Sequence, residues 1–470
     1  MSGLFSGLNI ALQALLSNQQ AIQVVEHNVS NVNTPGYKRQ EAVLIAAPPY
    51  TVPTLRGLVI PGQMGTGVLV DRIRQFNLEF FDGRYRNELA ETKHWELKGN
   101  VLTQVEFTLA ETSDDGILPK LDAFWSGWQA LSNDPTNMSL RADLRERASI
   151  LTKALNTRAE SLRSIQSDQN LALIQRVAEI NSDATQIARL NTEILKVKSA
   201  GGEPNDLMDQ RGELLNRLAE ISGAVTNIQD DGEAIVAIGG HSLVIGSSTF
   251  GLSTEPDTTN NNLTRIYWTA DNRDLNTPSG ELAGLLEARD QIIPEQMAGL
   301  DELAQTLVTQ VNALHVAGYG LTPTARNNNF FNPTMTSALS IRLSSDIDDL
   351  ANIAAASNPD APGDGNNALA IGNLQDSLLM NSNTSTINQF YTMQIANLGL
   401  QLQTANTRAK DRNDIVNSLN TLQESVSGVN LDEEAANLVK FQRAYQAATR
   451  MVTVIDEMLD KIINGMGVTR

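Results

Sequence analysis

The sequence predicts a mainly α protein with a smaller β domain, elongated and multi-domain, with paired terminal helices, a long helical rod domain and a central β-rich domain. Three observations carry this expectation. Apolar residues recur at heptad spacing at both ends of the chain, a stretch of about 60 residues holds neither Gly nor Pro, and period-two patterning is confined to a short span near the middle.

At the N-terminus, Leu8, Ala11, Leu15, Asn18, Ile22, Val25, Val29 and Val32 alternate by three and four, the spacing of a helix whose partner is another helix. Asn33-Thr34-Pro35-Gly36-Tyr37 then reads as a type II turn, with Pro at i+1 and Gly at i+2. Residues 41–47 and 67–73 have strand composition inside a Pro- and Gly-rich connector, 39–79. From about residue 80 the texture is helical: 84–111, then 118–131 with Phe124, Trp125 and Trp128, then the uninterrupted run 139–199. A helix of that length measures about 90 Å at 1.5 Å per residue, which makes this part a rod.

Gly201-Gly202-Glu203-Pro204 turns the chain and 206–221 is expected to return as a short helix. Strands are predicted at 224–228, 233–238, 242–245 and 264–269. Helix resumes at 280–316 with a bend at Pro294; 318–380, rich in Asn, Ser, Asp and Gly, reads as irregular. A run at 384–426 precedes the terminal helix. There, Leu431, Leu438, Tyr445, Val452 and Leu459 interleave with Glu434, Phe441, Ala448, Ile455 and Ile462, a seam in which Glu434 is the lone charge. Asn430 suits the N-cap and Glu433 the N3 position of a capping box.

These elements give a nested order. Residues 1–38 with 428–470 form a terminal helical coiled-coil domain, 39–222 with 280–427 the rod, and 223–279 the β-rich domain. The candidate assembly seam comprises Leu8, Leu15, Ile22, Val25, Val29, Leu431, Leu438, Phe441, Tyr445, Val452, Ile455, Leu459 and Ile462, with Thr34, Pro35, Gly36 and Tyr37 as the turn. Two helices alone make a marginal unit, so both termini are expected to order against neighbouring subunits.

Composition narrows the function. Of 470 residues, 35 are basic and 54 acidic, a formal charge of -19, which repels polyanions and argues against nucleic-acid binding. The absence of cysteine removes disulfides and thiol chemistry. The uncharged first 25 residues lack the basic start of a secretory signal, and no apolar run is long enough for membrane insertion. His27, His94, His241 and His315 are far apart, with no HExxH pattern; no nucleophile elbow or phosphate loop is present, so no catalytic residue, metal or cofactor is expected. His27 is expected to cap a helix or face solvent.

Several stretches are motif-like. Asn31-Val32-Asn33-Thr34-Pro35-Gly36-Tyr37-Lys38-Arg39-Gln40 resembles the turn after the first helix of flagellar axial proteins; Ser427-Gly428-Val429-Asn430-Leu431-Asp432-Glu433-Glu434 resembles the C-terminal signature of the hook-associated members; and Phe441-Gln442-Arg443-Ala444-Tyr445-Gln446-Ala447 resembles a segment shared with hook protein. Further similarity at 205–212, 280–290 and 312–318 extends the resemblance over most of the chain, while 331–380 is short for the additional domain some members insert.

The resemblance implies a structural, non-enzymatic component of the bacterial flagellum, secreted through its export channel and placed at the hook–filament junction. It also implies the partners: further copies of the chain in a ring-forming homo-oligomer, hook protein, hook-associated protein 3, and an export chaperone at the C-terminal region. Hook-associated protein 3 or another axial protein is the alternative within the family. A flagellum-associated peptidoglycan hydrolase and a cytoplasmic helical scaffold are the rivals outside it.

Overall fold

A computed structural model describes residues 2–49, 65–76, 79–109 and 115–465. Helix α1 (Ser2–Ser30) lies against the last helix, α10 (Leu431–Gly465), so the two chain ends form one pair. Strands β1 (Gln40–Ala46) and β2 (Val68–Gln75) form an antiparallel hairpin beside α1. Gly36 takes φ +75°, as the type II turn requires, and lets the chain fold back from α1 into β1.

The rod is built on α2 (Glu79–Leu109), α4 (Met138–Ser199) and α9 (Ile387–Ser427). Asp82 meets Gln423, Glu88 meets Arg412 and Gly99 meets Ala405, so α2 and α9 run antiparallel. Asn137 caps α4 by accepting from Ser139 N and Leu140 N, and no Gly or Pro interrupts its 62 residues. One half of α4, Leu144 to Leu162, belongs to a core filled by Phe124, Trp125 and Trp128 of α3 (Ile117–Asn133), with Phe330, Phe331 and Tyr391. The other half, Leu173 to Ala188, packs on α5 (Asn205–Ser222) and on the strands. A single helix thus spans two cores, which is why its apolar stripe must persist so long.

The remaining strands of the described residues form two further sheets. β3 (Val225–Ile228), β4 (Ala234–Ile238), β5 (His241–Ile245) and β6 (Ser248–Thr249) make an antiparallel meander; β7 (Leu252–Asp257) and β8 (Leu263–Trp268) make a hairpin. Buried Ala234, Val236, Ile238, Leu243, Ile266 and Trp268 share their core with α4 and α5. Strand β7 is absent from the sequence expectation because Ser253, Glu255, Pro256 and Asp257 mask its period.

Helix α6 (Gly280–Glu287) passes through one π turn, Ala288–Ile292, into α7 (Ile293–Ala317). The expected bend at Pro294 is therefore a π turn, with Pro294 inside the first turn of α7, where a missing N–H costs nothing. Residues 318–380 are irregular apart from α8 (Asn366–Gly372) and short 3₁₀ turns, yet they are not loose. Arg141, fully buried, donates to Pro135 O, Leu350 O and Ile353 O, and Asn312 serves Phe330 N, Phe331 N and Phe331 O. Buried side chains satisfy a backbone that has no ladder of its own.

Candidate interaction site: the terminal helix pair and its joint

The register of the terminal pair follows from three contacts. A Cβ on Gly7 would sit 3.5 Å from Ile455 Cδ1, Phe441 packs on the cluster of Ala21 and Val24, and Asn28 Nδ2 donates to Glu434 Oε2 at 3.1 Å. Between the outer two contacts each helix advances three heptads in opposite directions, so the pair is antiparallel.

Val25 and Ile455 are buried, and Leu8, Leu15, Ile22, Leu438, Phe441, Tyr445, Val452, Leu459 and Ile462 are half-buried. Val29 and Leu431, expected in the seam, stand 40% and 51% exposed beside polar Asn28 and Glu434. On α1 the line facing α10 is set by Gly7, Ala21 and Asn28, with Ala14 at the intervening heptad position, one residue away from the Leu8, Leu15, Ile22 and Val29 line. Sequence reasoning favoured the larger side chains; the signal available was a heptad of small residues, which lets two helices approach closely.

Glu434, the one charge of the predicted seam, is 1% exposed and fully accounted for. Arg39 Nε donates to its Oε1 at 2.8 Å, and Asn28 donates to its Oε2. Asn28 also pairs with the backbone of Gln40, accepting from Gln40 N at 3.0 Å and donating to Gln40 O at 2.8 Å. Tyr37 OH donates to Asn28 Oδ1 at 2.8 Å and lies 3.0 Å from His27 Nδ1. His27, in the last turn of α1, keeps a side chain 40% exposed while its Nδ1 meets Tyr37, so the histidine expected to cap or face solvent also has a partner in the joint. Burial and nearby Asp206, Asp209 and Glu434 push the Tyr37 phenol up, so it stays a donor.

This node docks on the N-terminal half of α5. Lys38 N donates to Asp209 Oδ2 at 3.1 Å, Gln75 Nε2 to Asp209 Oδ1 at 2.7 Å and Gln40 Nε2 to Asp206 Oδ1 at 2.8 Å. Asn205 Nδ2 reaches Gln40 Oε1 and Ile73 O, and Lys38 Nζ pairs with Asp82 of α2 at 2.8 Å. Arg39 N donates to Ser427 O, tying the node to the α9–α10 corner. Burial raises the Asp209 carboxyl to about 6, against the lowering effect of the donors from Lys38 and Gln75.

Two clefts flank the joint. One, of about 1020 Å³, lies between residues 32–39, α2, α5 and residues 420–433; the other, of about 470 Å³, lies between the turn, α4 and α5. Among the described residues no group of His, Cys, Asp or Glu is arranged to hold a metal, and no helix is long and apolar enough to cross a membrane.

Residues 102–331 match the flagellar hook-associated protein FlgK helical domain, and residues 423–465 match the C-terminal part of flagellar basal body rod FlgEFG proteins. The chain is 31% identical to flagellar hook-associated protein 1 of Bacillus subtilis, over 100% of this chain and 99% of the relative. It is 25% identical to flagellar hook-associated protein 1 of Escherichia coli, over 97% and 99%. The flagellar hook junction protein FlgK of Burkholderia pseudomallei shares the fold at a TM-score of 0.66 and 15% identity, over 73% of this chain and all of that one.

Proposed function

Because the chain belongs to the flagellar hook-associated protein 1 family, a family of structural flagellar proteins and not of enzymes, we propose that it joins hook to filament by packing its terminal helix pair into a ring of identical subunits. The observation that carries this reading is that the pair, made from both chain ends, leaves a second apolar surface in solvent. Phe5, Leu12 and Leu16 on α1, with Val439, Met451, Val454 and Met458 on α10, are all 46% or more exposed. Apolar area of this kind is stabilised by burial against a neighbour.

In this reading hook protein and hook-associated protein 3 are the neighbours below and above, and an export chaperone covers the C-terminal region before assembly. The mature location is the secreted, junctional segment of the flagellum. Residues 1–38 with 428–470 act as the packing domain, and 39–222 with 280–427 as the rod that sets its spacing. Residues 223–279 form a β-rich domain carried on the rod. Electron microscopy of a strain lacking the protein tests the reading: hooks without filaments and flagellin released into the medium are expected, and filaments of normal length would contradict it.

A further inference from the structure

The joint below the terminal pair is held almost wholly by polar groups. Among the described residues, the apolar cluster of Ala21, Val24, Ala42, Val70, Ile73 and Phe441 is separate from both cores of the rod. What crosses from turn and hairpin to α5 is a set of hydrogen bonds on Asn205, Asp206 and Asp209, of which the two carboxylates can take up a proton. Such a connection answers to protonation in a way that an apolar contact does not.

The charges around Asp209 are unbalanced. On α5 it has Asp206 and Glu213 beside it; Asp82 and Arg86 face it from α2, Lys38 and Arg39 from the turn, and Arg189 from α4. His27 and Tyr37 close the smaller cleft, while Glu424 of α9 and Asp432, Glu433 and Glu434 of the α10 N-terminus complete the acidic side. Lys38 is taken by Asp82, Arg39 by Glu433 and Glu434, and Arg86 donates to Asn216. The donors to Asp209 are thus a backbone N–H and an amide, neither carrying charge.

We propose that this joint is a proton-sensitive latch: as the pH falls, the turn and the β1–β2 hairpin, and with them the terminal helix pair, are drawn more tightly onto α5. The group that acts is Asp209. Docking buries the Asp209 carboxylate, and burial holds its proton on up to about pH 6, so the docked state takes up a proton that the open state binds only in the ordinary carboxylate range. The protonated acid still accepts from Lys38 N on one oxygen, and Gln75 can turn its amide so that Oε1 accepts the new O–H. His27 Nδ1 lies 3.0 Å from Tyr37 Oη and its Nε2 3.6 Å from Asp206 Oδ2, so the ring borders the joint on the turn side.

The sign is fixed by linkage: a carboxyl whose docked value is raised weakens docking above about pH 6, and the penalty is relieved as the pH falls toward the free value. Through Asp209 alone, docking strengthens by up to about tenfold between pH 8 and pH 5. Both clefts border the turn that presents Lys38 N to Asp209.

The chain has no cysteine, so Asp71→Cys on β2 and Lys196→Cys on α4, both exposed, can be spin-labelled without background. In the full-length protein, the interlabel distance distribution is expected to be narrow at pH 5 and broad at pH 8. Asp209→Asn, which carries the neutral form permanently, is expected to be narrow at both. A wild-type distribution that is the same at both pH values, or a response that survives undiminished in Asp209→Asn, overturns the latch. Should Asp209→Asn misfold, the carboxyl carbon resonance of Asp209 in the unsubstituted protein decides: a midpoint near 6 supports the latch and one in the ordinary carboxylate range overturns it. Neither outcome bears on the role at the hook–filament junction.

Discussion

His315 has 0% exposure and lies among Trp128 and Phe330, with its two ring nitrogens in opposite roles. Nδ1 lies 2.7 Å from Asn328 O and must donate; Ala354 N donates to Nε2 at 2.9 Å, which must therefore be unprotonated. The neutral ring thus pins two points of an irregular segment to α7. Burial pulls its pKa down to about 4, opposed by the Asn328 hydrogen bond and Asp346 and assisted by Arg141. Since the folded value lies below the free one, stability is complete above about pH 6.5 and is lost as the pH falls toward 4, by on the order of 3 kcal/mol. Thermal melts of the rod are expected to decline through that window, and His315→Gln, whose amide can donate and accept but does not titrate there, is expected to flatten the profile. At this scale the sequence is only half legible: it shows a lone histidine with no ligand pattern, and nothing in its neighbours predicts that Ala354 would need it. Glu434 is the parallel case, a charge at an apolar position that becomes intelligible only once Arg39 and Asn28 are seen beside it.

The element scale is where the sequence reads best. Helices α4, α9 and α10 lie within a few residues of their expected ends; Asn430 is legible as the cap of α10, and Asn137 and Thr386 cap α4 and α9 in the same local way. What was not legible depends on partners: the small-residue line of α1 has meaning only against Phe441 and Ile455, and β7 exists only because β8 supplies its hydrogen bonds. The α1–α10 register separates two kinds of substitution on α10. Ile455, 9% exposed against Gly7, does not tolerate a charge without separating the helices; Met451, 50% exposed, does. Ile455→Asp is expected to cost about 3 kcal/mol in the isolated pair and to abolish filament attachment, while the β-rich region keeps its folded circular dichroism signal. Met451→Asp is expected to leave the pair intact and to act only on assembly, if its exposed stripe is the surface a neighbouring subunit covers. Motility and sheared-filament yield for both variants separate pairing from assembly; normal filaments with Ile455→Asp would refute the role given to the seam.

At the scale of the whole molecule, stability is distributed unevenly along a nested chain. The rod's two cores share α4 and recruit α2, α3, α5, α6, α7 and α9, whereas the terminal pair has one small apolar cluster at its joint end, with Ala11 and Ile455 buried farther along and its second stripe open to water. Local opening follows buried apolar contact, so the pair should open without the rod. In dilute protein at neutral pH, amides of residues 5–20 and 445–462 are expected to exchange many orders of magnitude faster than those of residues 144–162 and 300–311. Amides near Asn28 and Gln40 should be intermediate, because the joint holds them from one side. Assembly should then protect both outer segments together, since each is the other's partner and both carry exposed apolar residues toward the same solvent. Uniformly strong protection across 5–30 and 431–462 in the dilute chain would contradict this order, and would mean that the pair is complete before it meets a neighbour. On the proposed reading, ordering on assembly would suit a subunit that carries its helices to the site of use: the rod would fold at once, and the packing surface would be finished only where another copy covers it.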